Sequence, residues 1–291
     1  MAPQLIKDGK IQIIAHTANS VVYTVETDSN TELAKDSPVV LKGGTVWYKG
    51  KQALGPGKDI AESDKTIKKE ASIYKTLGQH DHILKCFGPE VDVLNDQDSV
   101  PKAWALRLER SPFGSLRDTI VDTYKNPPSQ RIRLDLAHQF AKGIAHLHHM
   151  GIIWGDLSTR NAFLFDNWRL KLGDFADSDQ IDAYPTDWYG CEDRYCPPGS
   201  HNPQLHDVGT INRELFALGS AICEILEWKV PYGSTTEVSD CDISKALSIG
   251  KWPDLSDDNP AKAIIQKLWG YLYPSSRQVV HDLQTLLRSY E

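Results

Sequence analysis

A chain of 291 residues with 40% hydrophobic content carries enough apolar side chains to bury a sizeable core. Its net charge of −7 argues against the clustered positive surface that nucleic acid or an anionic membrane requires, so neither is expected as a partner. No run approaches the roughly 18 apolar residues of a membrane span, and the opening MAPQLIKDGK has no apolar leader-like core. The expectation is a soluble intracellular protein, cytoplasmic or nuclear.

Lys10 to Thr27, KIQIIAHTANSVVYTVET, alternates apolar and polar residues and predicts two strands joined by a turn around Thr17 to Ser20. Pro38 to Lys42, PVVLK, is a short β-branched run that ends in lysine. The Gly-rich stretch from Gly44 to Asp64 reads as an inserted loop or flap. Ile67, Ala71, Ile73, Tyr74 and Leu77 recur at helical spacing and predict an amphipathic helix that carries Glu70. A second helical pattern covers Arg131 to Met150, with Gly151 as its stop. His146, His148 and His149 lie on it without a third ligand in view, which favours helix surface and capping over a metal.

The chemistry concentrates in IIWGDLSTRNAFL, Ile152 to Leu164, and LKLGDFADS, Leu170 to Ser178. These read as a hairpin-like pair of short apolar strands flanking a polar loop, which places Asp156, Asn161 and Asp174 within reach of one another. Carboxylate and amide oxygens beside an arginine suit a hydrated Mg²⁺ and a transferring phosphoryl group, because hard cations prefer oxygen and the reaction is mostly positioning and charge neutralisation. Further on, Leu215, Leu218, Ile222, Ile225 and Leu226 predict a long buried helix within Glu214 to Gly233. Helices over Ala261 to Leu272 and Val279 to Leu287 complete the chain. The five cysteines, Cys86, Cys191, Cys196, Cys223 and Cys241, are odd in number and include no C-x-x-C pair, so neither a disulfide framework nor a zinc site is expected.

The pattern D-x-x-x-x-N followed by D-F resembles the catalytic loop and metal-binding turn of the eukaryotic protein kinase family. The resemblance extends over residues 10–287. It implies an α+β, bilobal protein-kinase-like fold: a small β-rich N-lobe over about 10–110, a hinge near 109–114 and a helical C-lobe over about 115–287. HDHILKCFG, His80 to Gly88, then resembles the segment that leads from the Glu70 helix into the next strand. Ala103 to Ile120 resembles the last N-lobe strand, the hinge and the first C-lobe helix.

Residue by residue, the resemblance implies that Lys42 grips the ATP phosphates and is held by Glu70. Asp156 orients the acceptor hydroxyl, Asn161 and Asp174 bind Mg²⁺, and Arg160 neutralises charge on the γ-phosphate, as the arginine of D-L-A-A-R-N does in many tyrosine kinases. The phosphate-covering hairpin aligns Ala15, Thr17 and Ser20 with the family's glycines, followed by Val22, and Cβ atoms there limit backbone approach to phosphate. Leu108 takes the gatekeeper position, Glu109 offers the first hinge carbonyl and Ser111 offers backbone groups to an adenine.

Departures from the pattern are specific. Trp154 and Gly155 replace the His-Arg that precedes the catalytic Asp, so control through a phosphorylated activation loop paired with that Arg is not expected. Ser158 stands where the family has a lysine, Ala176 follows Asp174 and Phe175, and Glu192 occupies a position where Ser/Thr kinases carry threonine. Gly199 replaces the glutamate that would pair with Arg277, which leaves Arg277 in need of another partner. Glu214 stands where an aspartate is usual. Tyr184, Thr186 and Tyr189 are placed in a solvated loop open to modification. The implied function is a divergent ATP- and Mg²⁺-dependent protein kinase acting on a protein hydroxyl. The alternatives are a pseudokinase that serves as a binding module for a partner, and a small-molecule phosphotransferase, since WGDL also resembles the H-G-D-L of aminoglycoside and choline kinases.

Overall fold

The structure is a computed structural model that describes residues 2–16, 20–26, 37–49, 51–53, 60–91, 102–185, 192–197, 210–233 and 238–290. It divides into two compact units, Met1–Gln79 with Leu84–Ser111, and His80–Ile83 with Pro112–Glu291.

The first unit begins with a short helix the sequence did not announce, α1 (Ala2–Lys7), which Lys10 N closes by donating to Leu5 O at 2.9 Å. Strands β1 (Ile11–His16), β2 (Val21–Val25) and β3 (Val39–Gly43) follow. The Gly-rich stretch then forms a two-stranded hairpin, β4 (Trp47–Tyr48) and β5 (Lys51–Gln52), and its last residues belong to helix α2 (Ile60–Leu77) rather than to a loop. Buried Tyr23 anchors that hairpin by accepting from Trp47 N at 3.0 Å. Strands β6 (Cys86–Val91) and β7 (Ala103–Glu109) complete an antiparallel sheet of order β1-β2-β3-β7-β6. Ile11, Val21, Tyr23, Leu41, Val46 and Ala105 form a buried cluster on this sheet. On α2, Ile67, Ile73, Tyr74 and Leu77 are buried at the spacing expected of one helical face, and the helix lies against β6 and β7.

The second unit is helical. Ser115 caps α3 (Leu116–Thr123) by accepting from Asp118 N, and Ser129 caps α4 (Gln130–His149) by accepting from Ile132 N. Leu134, Leu136, Phe140, Ile144 and Leu147 of α4 are wholly buried, and the chain leaves the helix through Gly151 at φ +72°. Four short strands follow: β8 (Ile152–Ile153), β9 (Ala162–Phe165), β10 (Arg169–Leu172) and β11 (Asp179–Gln180). The pairing differs from the single expected hairpin. β9 pairs with β10, whereas β8 pairs with β11, so the strands nest two pairs around the polar loop. The reason is length: two residues of β8 cannot span the loop to β9, and their carbonyls and amides are satisfied by the segment after Asp174.

Helices α5 (Thr210–Glu227), α6 (Asp240–Ser248), α7 (Lys262–Trp269) and α8 (Ser276–Arg288) complete the unit, with α4 packed on α5 and α8, and α5 on α7. Arg277 is exposed near the start of α8. Gly199, Thr186, Tyr189 and Cys191 lie outside the described residues. Cys196 is disulfide-bonded while Cys86, Cys223 and Cys241 are free thiols, which corrects the expectation that no disulfide forms. Spacing along the chain is silent on such a pair, because Cα proximity rather than sequence pattern decides whether two sulfurs meet.

Residues His80–Ile83 lie with this second unit. The His80 ring stacks on His146 of α4 with centroids 4.1 Å apart and planes 7° from parallel. Burial, with His146, His82 and Lys142 facing it and only Asp81 opposing, pushes the His80 imidazole down to about 4. The folded form therefore disfavours the proton that the unfolded chain accepts near 6.5. Between those values the unfolded state binds more protons, so this stabilisation is complete above pH 6.5 and is lost as pH falls toward 4. Partial exposure limits the effect to about 1 kcal/mol. Urea midpoints at pH 7 and pH 5 should separate more for the unaltered protein than for His80→Gln, and equal separations would refute this account.

Candidate active site

In the first unit the site residues are set by strand register. Ala15 pairs with Val22, Val22 with Lys42, and Lys42 with Leu106, which puts four residues in one row across β1, β2, β3 and β7. Ala15 is exposed near the end of β1 and Ser20 is half-buried just before β2, while Thr17 lies outside the described residues. Lys42 is buried, and its Nζ donates to both carboxylate oxygens of buried Glu70 at 3.0 and 2.9 Å. A bidentate buried pair fixes the lysine's direction against α2, which a strand-end lysine in solvent would lack. Leu108 is buried between Val40 and Cys86, and Glu109 and Ser111 are half-buried at the end of β7.

In the second unit the loop between β8 and β9 carries Asp156, Arg160 and Asn161. Asn161 Nδ2 donates to Asp156 Oδ2 at 2.9 Å and to Asp156 O at 3.0 Å. With the amide nitrogen committed, the amide oxygen is the face left to present to a cation. Asp156 Oδ1 is buried and accepts no hydrogen bond from the described residues, and Arg160 Nη2 stands 3.8 Å away. Burial raises the Asp156 carboxyl to about 6, against the pull of Arg160 and the Asn161 hydrogen bond. An oriented carboxylate with one unused oxygen can accept a proton or a hydroxyl hydrogen bond.

Asp174 follows directly. Gly173 N donates to Asn161 O at 2.9 Å, which ties the turn to the loop, and Asp174 takes the left-handed backbone at φ +57°. A non-glycine residue held there stores strain that the surroundings must compensate. Trp154 supplies the compensation: its Nε1 donates to Asp174 O at 2.9 Å, and its buried ring sits between Phe140 and Phe175 with centroids 6.0 and 5.9 Å away. Ser178 Oγ donates to Trp154 O at 2.9 Å and closes the turn from the other side.

Glu214 holds the loop from beneath. Its Oε1 accepts from Trp154 N at 2.8 Å and Gly155 N at 3.1 Å, so the extra methylene relative to aspartate does not prevent the contact. His148 Nε2 lies 2.7 Å from Glu214 Oε2, and its Nδ1 lies 3.0 Å from Ser276 Oγ. A carboxylate only accepts, so His148 Nε2 carries a proton and donates it to Glu214. This role was not visible in the sequence, where His148 is one of three histidines at a helix end.

A buried charge network stands beside the loop. Arg117 of α3 meets Glu224 of α5 through both Nε and Nη2, Tyr195 Oη donates to Glu224 Oε2 at 2.6 Å, and Thr159 Oγ1 donates to Glu224 Oε1 at 2.7 Å. Arg117 also donates to Glu192 at 3.1 Å. Sequence reasoning passed over Arg117, Thr159, Tyr195 and Glu224, although a glutamate at position 224 inside the apolar run ALGSAICEIL is itself a signal that a buried cation faces it. Tyr184 is likewise not in a solvated loop: it is buried, and its hydroxyl packs on Gly155.

The donor set suits Mg²⁺, which binds through one or two protein oxygens and keeps water and phosphate as its other ligands. Asn161 and Asp174 would hold it. Among the described residues, no group of three His, Cys, Asp or Glu side chains forms an all-protein cage.

A family profile described as "Protein kinase domain" matches residues 53–285. Among curated proteins, the chain is 27% identical over 165 residues to the interferon-induced, double-stranded RNA-activated protein kinase of Rattus norvegicus, covering 56% of this chain and 31% of that protein. It is 29% identical over 204 residues to the BDNF/NT-3 growth factors receptor of Gallus gallus, covering 65% of this chain and 24% of the receptor. A probable serine/threonine-protein kinase of Dictyostelium discoideum is 26% identical over 188 residues, covering 64% of this chain and 12% of that protein. The chain thus spans less than a third of the length of these relatives. No described helix is long and apolar enough to cross a membrane. With an antiparallel five-stranded sheet, a helical second unit and a profile match across most of its length, the chain belongs to the protein kinase family.

Proposed function

We propose that this chain is an ATP- and Mg²⁺-dependent protein kinase that transfers the γ-phosphoryl group to a protein hydroxyl in the cytoplasm or nucleus. The observation that carries the reading is Asp156 Oδ1, a buried acceptor that takes no hydrogen bond from the described residues, on a carboxylate that Asn161 orients. Such an atom costs free energy unless a ligand uses it. In this mechanism Asp156 accepts the hydrogen bond of the acceptor hydroxyl and aims it, Lys42 directed by Glu70 holds phosphate oxygens, and Arg160 offsets the charge of the transferring group. Asn161 and Asp174 would hold a Mg²⁺ ion, which would supply charge neutralisation at the phosphates. In the same reading the adenine is met by backbone groups of Glu109 and Ser111 next to Leu108, and the phosphates by the β1–β2 hairpin through Ala15, Ser20 and Val22.

Thermal-shift titration with ATP, with and without Mg²⁺, tests this without a known substrate, because a ligand that binds only the native state raises the midpoint with occupancy. A Mg²⁺-dependent rise that Asp174→Asn abolishes is the expected result. No rise at millimolar nucleotide would remove the kinase mechanism and leave the pseudokinase reading, which the side chains at Ala15 and Ser20 in place of glycine favour.

A further inference from the structure

Glu192 is the residue on which the second unit concentrates positive charge. Its Oε1 accepts from Ser158 Oγ at 2.7 Å and Arg117 Nη2 at 3.1 Å and stands in an ion pair 3.1 Å from Arg160 Nε, and its Oε2 lies 3.2 Å from Arg194 Nε and 3.4 Å from Arg117 Nη1. Three guanidinium groups and a hydroxyl from three parts of the chain thus converge on one carboxylate that is about one-tenth exposed. Arg117 has Glu224 as a second anion, and Arg194 donates to the carbonyls of Pro231 and Gly233 at 2.9 and 2.6 Å. Arg160 is placed differently. It is half exposed on a flexible stem, and its other anionic neighbour is Asp156 Oδ1 at 3.8 Å.

Those distances set up a competition. Arg160 lies between two carboxylates, and the nearer is Glu192, 3.1 Å from its Nε, against 3.8 Å from its Nη2 to Asp156 Oδ1, while Nε donates to Ser158 Oγ at 3.4 Å. Without Glu192, the guanidinium has one strong anion within reach, and an arginine–carboxylate pair closes readily to bidentate geometry. Closure would occupy the one oxygen of Asp156 that accepts nothing else. We infer that Glu192 is a positioning residue that keeps the Arg160 guanidinium beside Asp156 but off its Oδ1, so that this oxygen stays open to the acceptor hydroxyl. Ser158 reinforces the arrangement, since its hydroxyl donates to Glu192 and accepts from Arg160 N at 3.2 Å, which fixes the loop between the two charges. Burial opposes ionisation of Glu192, but Arg117, Arg160 and Ser158 outweigh it and hold the carboxyl below its usual range, so the anion persists in neutral solution.

This role rests on the proposed kinase activity, and the test separates the two. Turnover of MgATP would be measured with casein as a generic hydroxyl acceptor for the unaltered protein, Glu192→Gln, Glu192→Asp, Arg160→Gln and the double variant Glu192→Gln/Arg160→Gln. Glu192→Gln should lower kcat by about tenfold or more while the KM for ATP changes by less than about threefold, and Glu192→Asp should recover part of the loss. In the Arg160→Gln background Glu192→Gln should have little further effect, since the group it restrains is gone. Urea midpoints guard against simple unfolding: a Glu192→Gln protein that loses kcat only in proportion to its folded fraction overturns the inference, as do additive losses in the double variant. Absence of turnover by the unaltered protein overturns the kinase reading and this role with it.

Discussion

Arg117→Ala should destabilise the protein by about 3–5 kcal/mol, the cost of leaving a buried ion without its partner. The guanidinium joins α3 to α5 through Glu224, to the catalytic loop through Thr159 Oγ1 at 3.0 Å, and to the segment 192–197 through Glu192 and Tyr195. Desolvation alone would lower the arginine's proton affinity, but Tyr195, Glu224 and Glu192 reverse it and hold the charge firmly. Its removal strands Glu224, which is wholly buried, with the Tyr195 and Thr159 hydroxyls as its side-chain donors among the described residues. The comparison that isolates the mechanism is Arg117→Met combined with Glu224→Leu, which removes both charges and should recover much of the loss, because an unpaired buried charge costs more than an absent pair. Equilibrium urea unfolding reads both values. A loss below about 1 kcal/mol for Arg117→Ala would show that water reaches the site.

Gly155→Ala should cost about 3 kcal/mol and misplace Asp156. Gly155 sits at φ +83°, where a side chain is strained, and an added Cβ would lie 2.4 Å from Tyr184 Oη and 2.6 Å from Asp177 O. One neighbour is a buried aromatic side chain and the other is backbone, so neither yields cheaply. The space above this backbone is filled by Tyr184 from the segment after β11. Tyr184→Phe removes the nearer atom and should relieve roughly 1 kcal/mol of the Gly155→Ala penalty in a double-mutant cycle, while the clash with Asp177 O remains. Full additivity of the two substitutions would disprove contact between them.

The long helices were legible because burial imposes a period on the chain. α4 runs from Gln130 to His149 against an expected Arg131 to Met150, and α8 from Ser276 to Arg288 against Val279 to Leu287. α5 ends at Glu227 rather than near Gly233, because Trp228 leaves the helical backbone at φ +52°. The two-residue strands β8 and β11 carry no period at all, so their pairing depended on what the rest of the chain brings alongside.

By itself the sequence determined membership in the protein kinase family and the bilobal α+β fold, since Asp156, Asn161 and Asp174 stand at the spacing of a recognisable motif between strands and helices with strong periodicity. Only the tertiary structure decided how the departures from that motif are accommodated. Trp154 holds Asp174 through an indole donor, Tyr184 fills the space over Gly155, and Glu192 gathers Arg117, Arg160 and Arg194. Arg117 and Glu224 are 107 residues apart, and His148 and Ser276 are 128 apart. Pairs at such separations leave no periodic trace, because their partners are chosen by packing across elements rather than along them.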